Sequence, residues 1–219
     1  MIEIVPTIVP DSLEDIRRMR ERYAGFLTAL HVDTADGMFA PNTTWMPEVG
    51  EKLPDAETIW YSAHLMVKSP RAVGLAFLAA GARGLEAHAE AFSSPEDGLA
   101  TFAAWRAAGA QKVAIALLFQ TPLEAVEPYL GVCDYVRLMT IARIGKQGIP
   151  FEEASITRIS EFHMWYSEMP IAVDGGVSEK NIQMLARAGA TSFAVGGVIA
   201  KSPDPARTYQ QLLSLANRV

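Results

Sequence analysis

Short apolar runs along the chain are separated by stretches in which apolar residues recur every three or four positions. "IEIVPTI" (2–8), "FLTALHVD" (26–33), "TIWYSAHLM" (58–66) and "GLEAH" (84–88) have strand length, and "KVAIALL" (112–118), "YVRLMT" (135–140), "PIAVD" (170–174) and "SFAVG" (192–196) continue the series. "KVAIALL" is apolar throughout after its lysine, as expected of a parallel strand buried on both faces. Between the runs, helices carry their own start and stop signals. Asp11 with Glu14 offers a capping box ahead of Leu13, Ile16, Met19 and Tyr23, which recur at helical spacing. Ser69-Pro70 and Ser94-Pro95 supply N-caps with a first-turn proline, and Gly81 and Gly109 stand where those two helices stop. Thr121-Pro122 with Glu124 predicts another capped helix; further helices are expected over 152–166, from Ser178 to Gly189 and from about Pro205.

Eight strand–helix alternations without a linker, a repeat array or a low-complexity tract predict one domain over 1–219, folded as a (β/α)₈ TIM barrel. A doubly wound open sheet is the competing architecture; it usually carries fewer strands, and no G-x-G-x-x-G follows the first strand. With 219 residues, half of them apolar, the chain can bury one substantial core.

Charge narrows the function classes. A net charge of -6 without a basic cluster gives nucleic acid or an anionic membrane nothing to hold, so a small-molecule ligand is expected. Cys133 stands alone, which excludes an internal disulfide and is read as a small buried hydrophobe in a reducing compartment. The N-terminal segment has no basic leader before an apolar stretch, and no apolar run reaches the roughly 20 residues of a membrane span, so a cytoplasmic protein is expected.

In such a barrel the chemistry belongs at the C-terminal ends of the strands. Thr7 falls there on the first strand, His31 and Asp33 on the second, His64 on the third, His88 on the fourth, Met139 and Thr140 on the sixth, Asp174 on the seventh and Gly196 on the eighth. The remaining histidine, His163, lies in a predicted helix and is expected at the surface. Residues i and i+2 of a strand share a face, so His31 and Asp33 point into the mouth together. With His64 and Asp174 they would assemble two imidazoles and two carboxylates, a donor set suited to zinc, iron, manganese or cobalt. His88 is open to two readings, as a support or substrate contact and as a satisfied core histidine. Asp36, followed by Gly37, reads as a turn residue. Gly175-Gly176 and Gly196-Gly197 end strands seven and eight, where barrels commonly hold phosphate with backbone N–H groups.

These residues resemble the ribulose-phosphate 3-epimerase family over essentially the whole chain. "HVDTADGMFAPN" (31–42) matches the family's H-[VI]-D-x-M-D-G-x-F-x-P-N, and "HLM" (64–66), "HAEA" (88–91), "TPLE" (121–124), "LMT" (138–140) and "VDGGV" (173–177) follow in family order. The resemblance implies His31, Asp33, His64 and Asp174 as ligands of one divalent metal ion, and Asp33 and Asp174 as the acid–base pair of a two-base epimerisation beside a ketone, from strands lying across the mouth. It places Thr7, His64, Met139, Gly145, Gly148, Gly175, Gly176, Gly196 and Gly197 against a sugar-phosphate substrate. It also implies inversion at C3 of D-ribulose 5-phosphate or a related ketose phosphate, and association into a homo-oligomer.

The departures concern the substrate walls. The family's M-T-V-x-P-G-F-G-G-Q loop is replaced by "MTIARIGKQGIPF" (139–151), which brings in Arg143 and Lys146, read either as anion contacts or as solvated lid charges. Ala35 replaces a methionine, Gly197 a serine, and "LLFQTPLE" an asparagine-proline. Two other readings stay open: a barrel that binds metal and an anion without turnover, and a sugar-phosphate enzyme of another substrate. The decarboxylase pattern D-x-K-x-x-D is broken in "DTAD", where Ala35 stands in place of the lysine.

Overall fold

Each apolar run becomes a parallel strand. The computed structural model describes residues 2–145 and 148–218. The strands are β1 (Glu3–Ile8), β2 (Ala29–Ala35), β3 (Trp60–Met66), β4 (Gly84–His88), β5 (Lys112–Leu117), β6 (Tyr135–Met139), β7 (Ile171–Asp174) and β8 (Ala190–Val195). They close in sequence order into a barrel in which β1 pairs with both β2 and β8. Outside it lie α1 (Leu13–Arg22), α2 (Pro70–Ala79), α3 (Pro95–Ala107), α4 (Ala154–Trp165), α5 (Ile182–Arg187), α6 (Gly197–Ala200) and α7 (Pro205–Ala216). The outward strand positions Val32, Leu65, Leu85, Ile115, Val173 and Phe193 share one core with the helical Ile16, Phe77, Phe102, Ile159, Leu185 and Leu212. Strand side chains alternate between faces, so the intervening positions turn into the barrel and carry the polar residues described below. Among the described residues no helix is long and apolar enough to cross a membrane.

Local chemistry moves several expected boundaries. The cap of α1 lies one residue later than Asp11: Ser12 Oγ accepts from the Asp15 N–H at 3.2 Å, and the Asp15 carboxylate folds back to accept from Asp11 N–H at 3.0 Å. The helix expected after Thr121 is a 3₁₀ segment over Leu123–Tyr129, because Pro128 removes a donor inside it and the Thr121 hydroxyl is drawn away to Glu90. Residues 178–181 form a turn in which the Asn181 side chain accepts from Ser178 N–H at 2.8 Å, so α5 begins only at Ile182. The short α6 after β8 has no counterpart among the expected helices. Cys133 is half-buried beside the core, and burial raises its thiol to about 11. His163 is exposed, as expected.

Close packing between helices depends on small residues. A Cβ on Gly74 of α2 would lie 2.5 Å from Trp105 Cε2 and 2.8 Å from Cζ2, and the fully buried indole is pinned by its N–H bond to Arg71 O at 3.1 Å. Gly74→Ala is therefore expected to cost about 1–3 kcal/mol, despite alanine's better helix propensity. A urea titration showing no loss of stability would refute this account of the α2–α3 contact.

Candidate active site

Register brings the polar residues of different strands level. Thr7 pairs with His31, Asp33 with His64, and Met139 with Asp174. His31, Asp33, His64 and Asp174 consequently offer four ligand atoms that all lie within 4.8 Å of one another. His64 Nδ1 sits 3.2 Å from Asp33 Oδ1 and 3.4 Å from Asp174 Oδ2, while His31 Nε2 is 3.5 Å from Asp33 Oδ1. Donors about 2.0–2.2 Å from a common ion lie roughly 3–3.5 Å apart, so the spacing fits a metal. β2 and β7 stand three strands apart by way of β1 and β8, so the two carboxylates flank the His64 nitrogen from different sides without being diametrically opposed.

Two further observations favour a cation among these groups. His31 Nε2 is buried without a hydrogen-bond partner, while Nδ1 on the other side of the ring is held 2.8 Å from Ser62 Oγ. Burial, and after it the Arg137 cation, pushes His31 down to about 3, which keeps its imidazole neutral and a lone pair available. His64 behaves oppositely. Burial alone would lower it, yet hydrogen bonds that its ring donates to Asp174 and Asp33 raise it to about 9, because two carboxylates on one nitrogen favour positive charge there. Burial and the neighbouring Asp174 charge raise Asp33 above the usual carboxylate range, while Asp174, although buried, is lowered by the His64 hydrogen bond and the Arg137 charge. One pair of carboxylates thus has its two members displaced in opposite directions, as suits groups with different proton duties.

Beneath the cluster lies a layer that strand-end reasoning missed. Glu86 and Arg137, both buried, form a two-point ion pair across β5, with Nη2 to Oε1 at 2.9 Å and Nε to Oε2. Tyr135 donates to Glu86 at 2.6 Å, and Glu86 Oε1 approaches His31 Nδ1 to 3.5 Å. The cue was present in the sequence. A charge inside an apolar parallel strand needs an inward partner, and "GLEAH" and "YVRLM" each contain one.

Above the cluster opens a cavity of about 490 Å³, of substrate size, with Asp33 and Asp174 in its wall. Thr7, Met139, Gly145, Gly148, Gly175, Gly176, Gly196 and Gly197 line it, so the expected substrate residues are brought together. His64 lies buried below them. Gly175 and Gly176 have φ of +114° and +63°, and a Cβ on Gly175 would meet Ile141 Cγ1 at 2.6 Å; a side chain is excluded from this wall. The altered loop is tied down at its base by an Ile141–Phe151 bridge and by Thr140, whose N–H donates to Asp174 O at 2.8 Å. Its Ile144 belongs to one buried cluster with Ala35 of β2, Ala40, Met66, Met139 and Ile141. Arg143 is exposed and outside the cavity lining, which fits the solvated reading of that charge; Lys146 falls outside the described residues. Among the described residues the cation in the lining is Lys201, just past α6, together with Ser202 and the glycines. Asp36 is the expected turn residue, accepting from Met38 and Phe39 N–H at 2.9 Å each. His88 lies behind His64, with 2.9 Å between their Nε2 atoms.

Comparison with known proteins agrees with this arrangement. Ribulose-phosphate 3-epimerase of Mycobacterium tuberculosis strain H37Rv is 34% identical over 217 residues, covering 94% of this chain and 91% of that protein. The enzyme of the same name from Bacillus subtilis strain 168 is 27% identical, covering 97% and 98%. Among solved structures, KGPDC from Streptococcus mutans superimposes with a TM-score of 0.73 at 12% identity, covering 100% of this chain and 99% of that one. 3-Hexulose-6-phosphate synthase from Salmonella typhimurium gives 0.71 at 14%, covering 99% of each. Likeness at such low identity establishes the shared barrel alone. The family model described as "Ribulose-phosphate 3 epimerase family" matches residues 3–200. The chain therefore belongs to the ribulose-phosphate 3-epimerase family, whose members are isomerases.

Proposed function

We propose that the protein is a metal-dependent epimerase that inverts C3 of a ketose phosphate, D-ribulose 5-phosphate or a close pentulose or hexulose relative. The observation that carries this reading is the placement of Asp33 and Asp174 on either side of one His64 nitrogen, at 3.2 and 3.4 Å, in the wall of a cavity that glycines and Lys201 also line. The orphaned His31 Nε2 and the four converging donors support a divalent ion held by His31, Asp33, His64 and Asp174. When bound, such an ion supplies Lewis-acid stabilisation of the negative charge that develops on the substrate oxygens. The chain's own residues do the rest. One carboxylate takes the C3 proton from its face of the substrate, and the other returns a proton from the opposite face. Met66, Met139 and Ile141 give the cavity an apolar wall against water, and the glycine backbone at Gly175, Gly176, Gly196 and Gly197 faces the phosphate end. Decarboxylase chemistry of the sister barrels finds no lysine at position 35, where the buried Ala35 belongs to the same cluster as Ile144 of the loop.

Incubation of metal-reconstituted protein with D-ribulose 5-phosphate in D₂O tests the reading. Deuterium is expected at C3, together with the C3 epimer. Bound metal without exchange on any ketose phosphate would favour a binding protein and sink the epimerase. Lys201→Met is expected to raise KM for the phosphate ester about tenfold, by loss of one charge-assisted contact, with kcat changed far less. An unchanged KM would remove Lys201 from the phosphate end.

A further inference from the structure

The metal-ligand set leaves the buried His88 and the half-buried Glu90 without a role. His64 Nε2 and His88 Nε2 are 2.9 Å apart, and their rings stack with centroids 4.9 Å apart. On the far side of His88, Nδ1 faces Glu90 Oε2 at an ion-pair distance of 3.5 Å, and neither buried atom has a hydrogen-bond partner among the described residues. The other Glu90 oxygen is fixed from β5 onward: Oε1 accepts the Leu118 N–H at 2.9 Å and the Thr121 hydroxyl. Arg158 of α4 in turn holds the carbonyls of Leu118, at 3.4 Å, and Thr121.

The order of protons along this chain follows from its Glu90 end. A neutral imidazole carries one N–H, and two facing ring nitrogens can share only one proton. Glu90 is a carboxylate and only accepts, so His88 places its N–H on Nδ1 and presents a lone pair at Nε2. His64 must then donate from Nε2, so that when a metal ion takes the place of the proton held at Nδ1 between Asp33 and Asp174, the ring keeps one N–H, on Nε2. That is the tautomer a metal ligand needs. We propose that Glu90, acting through His88, is a positioning residue that fixes the tautomer and ring orientation of His64 for metal binding. The proposal rests on the metal reading above, and it connects the β5 loop to a site that this loop does not line.

Glu90→Gln is a near-isosteric test with an unusual consequence. Leu118 N–H and the Thr121 hydroxyl claim the amide oxygen, so the NH₂ falls where Oε2 was and points at His88 Nδ1. His88 then becomes an acceptor there and carries its N–H on Nε2, facing His64, which is driven to carry its own N–H on Nδ1, the atom the metal requires. Co²⁺ affinity, followed by the visible absorption of the bound ion, is expected to fall about 10–100-fold in Glu90→Gln, as for other partners of metal ligands. ¹⁵N–¹H correlation spectra of the zinc-loaded wild type are expected to show His64 as the Nε2–H tautomer. His88→Leu, which removes the acceptor, is expected to weaken Co²⁺ binding comparably. Wild-type binding with an unchanged Co²⁺ affinity in Glu90→Gln overturns the relay and leaves the metal site standing, as does an Nδ1–H tautomer in the zinc-loaded protein. Failure of the wild type to bind Co²⁺ or Zn²⁺ overturns the metal reading, and the relay with it.

Discussion

Asp174→Asn is expected to lower kcat for C3 epimerisation about 10³-fold or more, and Asp33→Asn to do the same. Positioned acid–base groups contribute typically 10²–10⁴ each, and asparagine keeps the shape and a carbonyl oxygen while losing the ability to take a proton. Metal content measured alongside separates loss of a ligand from loss of a base. A finer signature is available from exchange. If the two carboxylates serve opposite faces, each single variant retains a base for one epimer only. Asp33→Asn and Asp174→Asn should therefore show complementary behaviour in D₂O: each exchanges the C3 proton of one ketose phosphate and fails with its epimer. Equal residual exchange of both epimers by both variants would refute the two-base assignment, because a single remaining base would then be reaching both faces. The geometry favours separate faces, since Asp33 and Asp174 approach His64 Nδ1 from β2 and β7.

Much of this site could be read from spacing. Strand periodicity put His31 and Asp33 on one face, and the parallel register then brought Asp33 level with His64 and Met139 level with Asp174, as a barrel with its chemistry at the strand ends requires. What stayed hidden depends on contacts between residues distant in sequence. The Glu86–Arg137 pair spans β4 and β6 across an intervening strand, so it exists only once these three strands have assembled. Thr121 has the local pattern of a helix cap, but the half-buried Glu90 carboxylate from the turn after β4 competes for its hydroxyl and prevails. Lys201 carries no mark in the sequence, because its place at the cavity follows from the unforeseen α6. The loop after β6 shows the reverse case. Its two cations drew attention in the sequence, yet Arg143 faces solvent while Ile144 and Ile141 form the buried contacts.

Arg137→Met should produce the largest loss of stability of any substitution considered, about 3–5 kcal/mol, because it strands the Glu86 carboxylate inside the barrel. With a denaturant slope of about 2 kcal/mol/M, the urea midpoint would fall by roughly 2 M. The pairing matters more than either charge: combining Glu86→Gln with Arg137→Met is expected to recover most of the loss, since the introduced amide oxygen still accepts from Tyr135 and no uncompensated charge remains. The pH dependence distinguishes this from a packing defect. In the wild type, burial would raise Glu86, but the Arg137 charge and hydrogen bonds hold it well below its ordinary value of 4.5. A carboxylate lowered in the folded state contributes stability above 4.5 that is lost as pH falls below it. With Arg137 gone, burial dominates and Glu86 rises above 4.5, so the folded form is penalised progressively as pH climbs from 4.5 to that raised value and is relieved as pH drops back through 4.5. The gap between wild type and Arg137→Met should therefore be full at about pH 7–8 and shrink steadily as the pH is lowered through 4.5. A gap independent of pH would assign the loss to the missing side-chain volume and show that the buried pair does not set the stability of the layer beneath His31.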